Sequence, residues 1–297
     1  MTGAVWVVLV KSVCWGSITF VYPPLRMPQF TSPTGVTLYY EVHEPKSQGT
    51  SVDTLVFSHG LLWSGRMFEA QVAAFRDRYR VVTYDHRGQG QSSAPADGYD
   101  METVYADAVA LIEGLKLAPC HFAGLSMGGF VGMRLAARRP DLLKSLILLE
   151  TSADPEPEAN RPRYRLLNTI VRWIGIWAVV RPVMKIMFSQ TFLNDPARQA
   201  DRARWKAELK TNRPSITKAV DGIINRRGVR DELDRIAVPT LIVVGDEDVA
   251  TVPDKSRRIQ EKIAGSQLVI IPRAGHTSSV EEPAAVNAAI AGFLNSL

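Results

Sequence analysis

Cys120-His121-Phe122-Ala123-Gly124-Leu125-Ser126-Met127-Gly128-Gly129 is the stretch that decides the fold of this chain. Its first four residues read as a short apolar strand, and a helical pattern carrying Met133, Leu135 and Ala136 opens directly behind the glycines. A serine in the spacing G-x-S-x-G arises by chance in roughly one chain in ten of this length, at about 7% of each residue type. The strand before it and the helix after it give the pattern its force. A strand-to-helix turn this tight holds its serine in a strained conformation, and Gly124 and Gly128 remove the Cβ atoms that would collide there. The Ser126 hydroxyl is then expected to project over the C-terminal edge of a sheet.

Working outward, short apolar runs recur at residues 54–58, 80–84, 120–123, 145–149, 240–244 and 267–271. They are continuous rather than alternating, as expected of parallel strands buried on both faces. The run at 38–43 alternates more and reads as an antiparallel edge. Helical patterns fall between the runs at about 66–75, 101–115, 128–139, 254–263 and 283–294. Strands alternating with helices of this length imply crossover units and an open parallel sheet. The alternation breaks once. Residues 153–235 contain no convincing strand but a helical stretch rich in Arg, Trp, Ile and Met, entered through Pro155, Pro157 and Pro162 and left at Val238-Pro239. This insertion reads as a helical cap. The core is therefore assigned to 27–152 and 236–297, the cap to 153–235, and residues 1–26 to an extension outside the core.

Of the 297 residues, 46% are hydrophobic and 22% charged, which excludes a disordered chain, while 21 Gly and 18 Pro exclude collagen. Two cysteines, Cys14 and Cys120, cannot build a disulfide framework or a thiolate metal site, and the five histidines lack HExxH spacing. No metal is expected. The net charge is +5, and residues 152–235 alone hold 17 Lys or Arg against 10 Asp or Glu. No nucleic-acid recognition motif accompanies that basic segment, so it reads as a solvated surface, with weak attraction of anionic substrates or lipid surfaces as the lesser reading. The N-terminus is apolar over 4–10 and again over 13–22, but Lys11 interrupts it and Pro23-Pro24 end it. It lacks the marks of a secretory signal and barely reaches the length of a membrane span. A cytoplasmic protein is expected, with membrane contact through residues 1–26 as the minor alternative.

A serine hydroxyl is a poor nucleophile at neutral pH and needs a neighbouring base. His276 follows the last strand, on a loop at the sheet edge where Ser126 is expected; His59 and His86 sit among glycines and read as structural. An imidazole base needs a carboxylate to fix its tautomer. Gly245-Asp246-Glu247-Asp248 offers three acids; Asp248 is preferred, with Asp246 shaping the turn. Developing charge on an acyl oxygen needs donors. The backbone N–H of Met127, directly after the serine, is one candidate, and that of Leu61, in His59-Gly60-Leu61-Leu62, is the other.

In these motifs the chain resembles proteins of the α/β-hydrolase fold. The matching segments are His59-Gly60, Asp85-His86-Arg87-Gly88-Gln89-Gly90-Gln91-Ser92, the Ser126 elbow, the GDEDVATVP stretch at 245–253 and Gly275-His276, in family order over roughly 270 residues. The resemblance implies a mostly parallel eight-stranded sheet with flanking helices, a cap inserted after the sixth strand, and a scaffold role for 85–92. Within the superfamily the similarity is to carboxylesterases, 3-oxoadipate enol-lactonases and cofactor-free perhydrolases. Dehalogenases and epoxide hydrolases of this fold use Asp where Ser126 stands, and the C–C hydrolases usually carry an aromatic residue where Thr277 follows His276.

The expected activity is a serine carboxylester hydrolase for short-to-medium acyl esters, needing no cofactor, with a small-molecule ester as its partner. Ser126, His276 and Asp248 form its triad, and Trp63, Trp173, Trp177 and Met184 are candidates to line an acyl pocket, which Met127 would extend. The alternatives are an enol-lactone hydrolase, which would need a cap arginine (161, 163, 165 and 172 are available), and a ligand-binding signalling protein on the same fold.

Overall fold

In the computed structural model, which describes residues 28–45 and 52–297, each apolar run becomes a strand, one short exposed strand precedes them, and the central strands β3, β5 and β7 are buried on both faces. They are β1 (Gln29–Thr31), β2 (Thr37–His43), β3 (Thr54–Ser58), β4 (Arg80–Tyr84), β5 (Cys120–Leu125), β6 (Leu143–Leu149), β7 (Thr240–Gly245) and β8 (Gln267–Ile271). Their order in the single sheet is β1-β2-β4-β3-β5-β6-β7-β8. β1 pairs antiparallel with β2, and β2 antiparallel with β4; every pairing from β4–β3 onward is parallel. The expectations for residues 1–26 lie outside the described residues.

Alternation along each strand divides the core into two layers. Leu55, Phe57, Leu125, Ile147, Leu149, Leu241 and Val243 face one side, with the helices α1 (Glu69–Phe75) and α10 (Pro283–Asn295). Val56, Val82, Phe122, Leu146, Leu148 and Ile242 face the other, with α2 (Met101–Gly114), α3 (Met127–Arg138) and α9 (Pro253–Gln260). Because both faces are covered, no position in these strands can be polar without a partner, which is why the runs read as unbroken. β5 extends two residues past its expected end, to Leu125, which pairs with Leu149.

Between β6 and β7 the chain builds the cap from α4 (Arg161–Trp173), α5 (Val180–Met187), α6 (Gln190–Asn194), α7 (Gln199–Lys210) and α8 (Ile216–Ile224). The apolar run through 166–180 is not one helix. Gly175, at φ 112°, breaks it in a backbone region that side chains disfavour, and a short 3₁₀ turn at Ile176–Ala178 leads into α5. α4 and α8 are joined by Asn168, whose buried amide donates to Thr217 O (3.0 Å) and Asp221 Oδ1 (2.8 Å). Among the described residues no helix is long and apolar enough to cross a membrane.

Candidate active site

The parallel strands end at one edge, and the loops leaving that edge carry the site. Ser126 follows β5 at φ 51°, ψ −106°, a left-handed conformation that costs of order 1–3 kcal/mol for a residue with a side chain. The neighbours hold it there. Its N–H donates to Leu149 O (2.8 Å), and its carbonyl accepts from Phe130 N–H (3.0 Å) and Thr151 Oγ1 (2.9 Å). The glycines on either side are required by space. A Cβ on Gly124 would stand 2.2 Å from Gly128 O, and one on Gly128 would stand 2.0 Å from Ser58 O.

Ser126 Oγ lies 2.9 Å from His276 Nε2, and His276 Nδ1 lies 2.9 Å from Asp248 Oδ2. The structure thus brings together the three residues expected to form the triad. Asp248 is buried at the end of the β7 loop, where Oδ1 accepts the N–H groups of Ala250 (2.8 Å) and Thr251 (2.9 Å). Oδ2 accepts Thr251 Oγ1 (2.7 Å). Burial alone would raise this carboxyl, but the His276 charge and the hydrogen bonds from His276 and Thr251 outweigh it and hold it below its ordinary range. Asp246 is exposed, and its N–H closes the turn on Ile271 O (3.0 Å). An imidazole so placed can take the serine proton while the carboxylate steadies the resulting cation.

Met127 N–H opens α3 and, as a first-turn amide, has no partner within its helix. In the facing loop, Leu62 N–H is committed to Gln89 Oε1 (2.8 Å), which leaves Leu61 N–H as the donor available on that side. Gly60 permits the close approach, since a Cβ there would meet Leu125 Cδ2 at 2.9 Å and Ser126 Cβ at 3.6 Å. Behind the loop, Asp85 accepts Gly65 N–H (2.8 Å) and Gln91 N–H (2.7 Å), and His59 Nε2 accepts His86 N–H (2.9 Å). Burial lowers both imidazoles, so His59 and His86 stay neutral parts of the scaffold.

A cavity of about 130 Å³ opens onto Ser126 and His276, walled by Trp63, Phe130, Leu167, Val171, Ile176, Val179, Val183 and Ile186. Trp63 packs edge-on against Trp205 (5.4 Å) and Phe188 (6.0 Å). Three expected lining residues are elsewhere. Trp173 is 81% exposed and Trp177 65% exposed, on the outer surface of the cap. Met184 is buried in the cap's own packing and does not reach the cavity. The Met127 side chain also points away, its sulfur accepting from Gln89 Nε2 (3.7 Å) in the opposite core layer. The physical reason is common to these cases: an apolar side chain is equally content in any dry layer, and its type does not say which way its element faces.

Sequence reasoning also missed three groups. Thr251 lay inside the quoted 245–253 stretch but was given no role. Glu281 is fully buried, and its carboxylate accepts the N–H groups of Gly275 (3.0 Å) and Thr277 (3.3 Å), which flank His276, and of Ser189 (2.8 Å), at the start of α6. Arg226 lines the cavity, donates to Glu156 Oε2 (2.7 Å), and lies over the Phe130 ring at 4.5 Å. It follows α8 and its partner precedes α4, a pairing with no local signature. Next to the site, Glu150 is fully buried, with the Ser278 hydroxyl and the Gly245 N–H as its polar neighbours. Burial, reinforced by the charges of Asp248 and Glu281, raises it well above the ordinary range. No group of three or more His, Cys, Asp or Glu among the described residues is arranged to hold a metal ion.

The strand order, the elbow after β5 and the helical insertion after β6 define an α/β hydrolase. The chain belongs to the alpha/beta hydrolase fold family, whose profile matches residues 53–283, and it is a hydrolase. It is 29% identical over 266 residues (87% of this chain, 99% of the relative) to a protein of Pseudomonas syringae pv. syringae (strain B728a) named as a carbamate hydrolase, RutD. It is 31% identical over 242 residues (80% of this chain, 86% of the relative) to 3-oxoadipate enol-lactonase 2 of Acinetobacter baylyi. Among solved structures, the enol-lactonase from Burkholderia xenovorans LB400 superposes with a TM-score of 0.83 at 28% identity, covering 90% of this chain and all of that one.

Proposed function

We propose that this hydrolase cleaves carboxylic esters with short-to-medium acyl chains through an acyl-serine intermediate. The observation that carries the reading is the relay from Ser126 Oγ to His276 Nε2 and from His276 Nδ1 to Asp248, 2.9 Å at each step, at the mouth of a mainly apolar cavity. Ser126 Oγ attacks the ester carbonyl while His276 Nε2 takes its proton. The carbonyl oxygen, now negative, is held by the N–H groups of Leu61 and Met127, each such donor contributing about 3–4 kcal/mol in a site of this kind. Collapse of the tetrahedral adduct expels the alcohol, which leaves with the proton from His276. Water then attacks the acyl-serine, His276 takes its proton, and the carboxylic acid departs as Ser126 regains its hydrogen. Asp248 stays ionised throughout.

One observation favours a second reading. Arg226 is the one Lys or Arg among the described residues that line the cavity, and an arginine is the natural partner of a carboxylate on an enol-lactone. Glu156 already takes part of its charge, which is why the uncharged ester ranks first. The deciding experiment compares kcat/KM for p-nitrophenyl esters of rising acyl length with that for an anionic enol-lactone. The ester reading expects kcat/KM to rise up to about fourfold per methylene until the cavity is full, and then to fall. A flat ester profile beside efficient lactone turnover that Arg226→Met abolishes would transfer the assignment to the lactone.

A further inference from the structure

The outer face of the cap is built unlike the rest of the surface. Seven large hydrophobic residues are exposed among the described residues, and four of them, Leu166 (62%), Trp173, Ile174 (55%) and Trp177, fall within twelve positions of α4 and the turn after it. Residues 159–194 carry six Lys or Arg and no Asp or Glu.

Helical spacing sorts these residues by face. Tyr164, Leu167, Asn168 and Val171 line the cavity, and at 100° per residue Leu166, Thr169 and Trp173 fall on the opposite side of α4. Arg163 flanks that outer stripe on one edge, and Arg165 and Arg172 flank it on the other. α5 repeats the arrangement, with Val183, Ile186 and Met187 toward the cavity and Arg181 and Lys185 outward. Arg172 is paired with Asp221 (2.9 Å). Arg163, Arg165, Arg181 and Lys185 have no carboxylate within ion-pair distance among the described residues.

We propose that this face docks on an anionic lipid bilayer. A single exposed aliphatic residue needs no explanation, but two exposed indoles on one patch do. Indole rings settle at the membrane–water boundary, where the ring is dry and its N–H is wet. Cations flanking an apolar stripe are the pattern of a helix lying in that boundary, and a negative leaflet attracts each of them. Charge decides the occupant, since a second copy of this chain would bring the same excess of cations against it. Docking sets the outer side of the helices that wall the cavity against the bilayer. The docking itself depends on no catalytic assignment.

Sedimentation of the full chain with vesicles tests this, using phosphatidylglycerol mixed with phosphatidylcholine beside phosphatidylcholine alone. The full chain should bind the anionic vesicles more tightly, with binding that weakens as salt rises. The double variant Trp173→Ser/Trp177→Ser should lose about tenfold or more in partition. Arg163→Gln/Arg165→Gln should lose about tenfold on anionic vesicles and little on neutral ones. Both variants should keep wild-type hydrolysis of a water-soluble ester, which checks their folding. Undiminished vesicle binding by the tryptophan variant would place the contact elsewhere and overturn the proposal. So would a concentration-dependent dimer that the tryptophan variant dissolves, with no vesicle binding by the full chain.

Discussion

Thr251 Oγ1 donates to Asp248 Oδ2 at 2.7 Å, the same oxygen that faces His276 Nδ1. The threonine therefore sits where it can steady the carboxylate in the plane the imidazole needs, and it separates Asp248 from the two other acids of its turn. Asp248→Asn should lower kcat by several orders of magnitude with little change in KM, because it disturbs the base and touches no substrate. Asp246→Asn should be nearly neutral, and Thr251→Val should cost about tenfold in kcat through one lost hydrogen bond to a charged acceptor. Steady-state kinetics on the three variants check this; a crippled Asp246→Asn beside a mild Asp248→Asn would reassign the acid.

The nucleophile has its own test. Ser126→Ala should reduce ester hydrolysis by about 10⁴ or more, to what the two backbone donors and binding supply alone. A fluorophosphonate probe should label the wild-type chain and not the variant. Retention of a tenth of the activity in a folded Ser126→Ala protein would remove the serine from the mechanism.

Glu150 makes a prediction about stability. Its folded pKa lies well above its ordinary 4.5, chiefly through burial. The folded state thus holds a proton that the unfolded chain releases sooner. The contribution is fully present below pH about 4.5 and is lost as pH rises toward the folded value, at about 1.4 kcal/mol per pH unit. Glu150→Gln removes that loss, so its Tm advantage over wild type should widen as pH rises above about 5. Thermal melts across that range give the answer. A difference that stays constant with pH would mean Glu150 is ionised in the folded protein.

The buried pair in the cavity wall can be dissected in the same way. Arg226→Met leaves the Glu156 charge in a dry wall with the Asn160 amide (2.9 Å) but no cation beside it, at a cost of about 3–5 kcal/mol. Glu156→Leu/Arg226→Met removes both charges and should recover most of it. Denaturant titrations of the wild type, Glu156→Leu, Arg226→Met and the double variant measure the difference; additive losses would show that the two charges are not coupled.

The sheet was legible in the sequence because a strand buried on both faces has no choice of composition, and 54–58, 80–84 and 267–271 coincide with β3, β4 and β8. Ser126, Asp248 and His276, the proposed triad, could be picked out because the topology delivers the ends of β5, β7 and β8 to one edge. The cap was legible as helical but not in its orientation. Trp173 and Trp177 were expected inside because they are apolar, and Gly175, which turns the chain between α4 and α5, carries no sign of direction. Arg226 was invisible beside the arginines of α4, since its burial depends on Glu156, 70 residues earlier.

Glu281 joins the cap to the loop of the base: its carboxylate takes Ser189 N–H on one side and Gly275 and Thr277 N–H on the other. Glu247, next to Asp248, takes Thr191 N–H (3.0 Å). Both seams meet the cap within three residues, at 189 and 191. A chimera that takes its lid from another family member therefore meets two stretches of unequal demand. Near 153–160 the constraint is one pair, Glu156 with Arg226, which can be exchanged together with the lid. The segment around 187–192 must come from this chain, or the transplanted lid will loosen the histidine and the aspartate together, and a change meant for specificity will appear as a loss of rate.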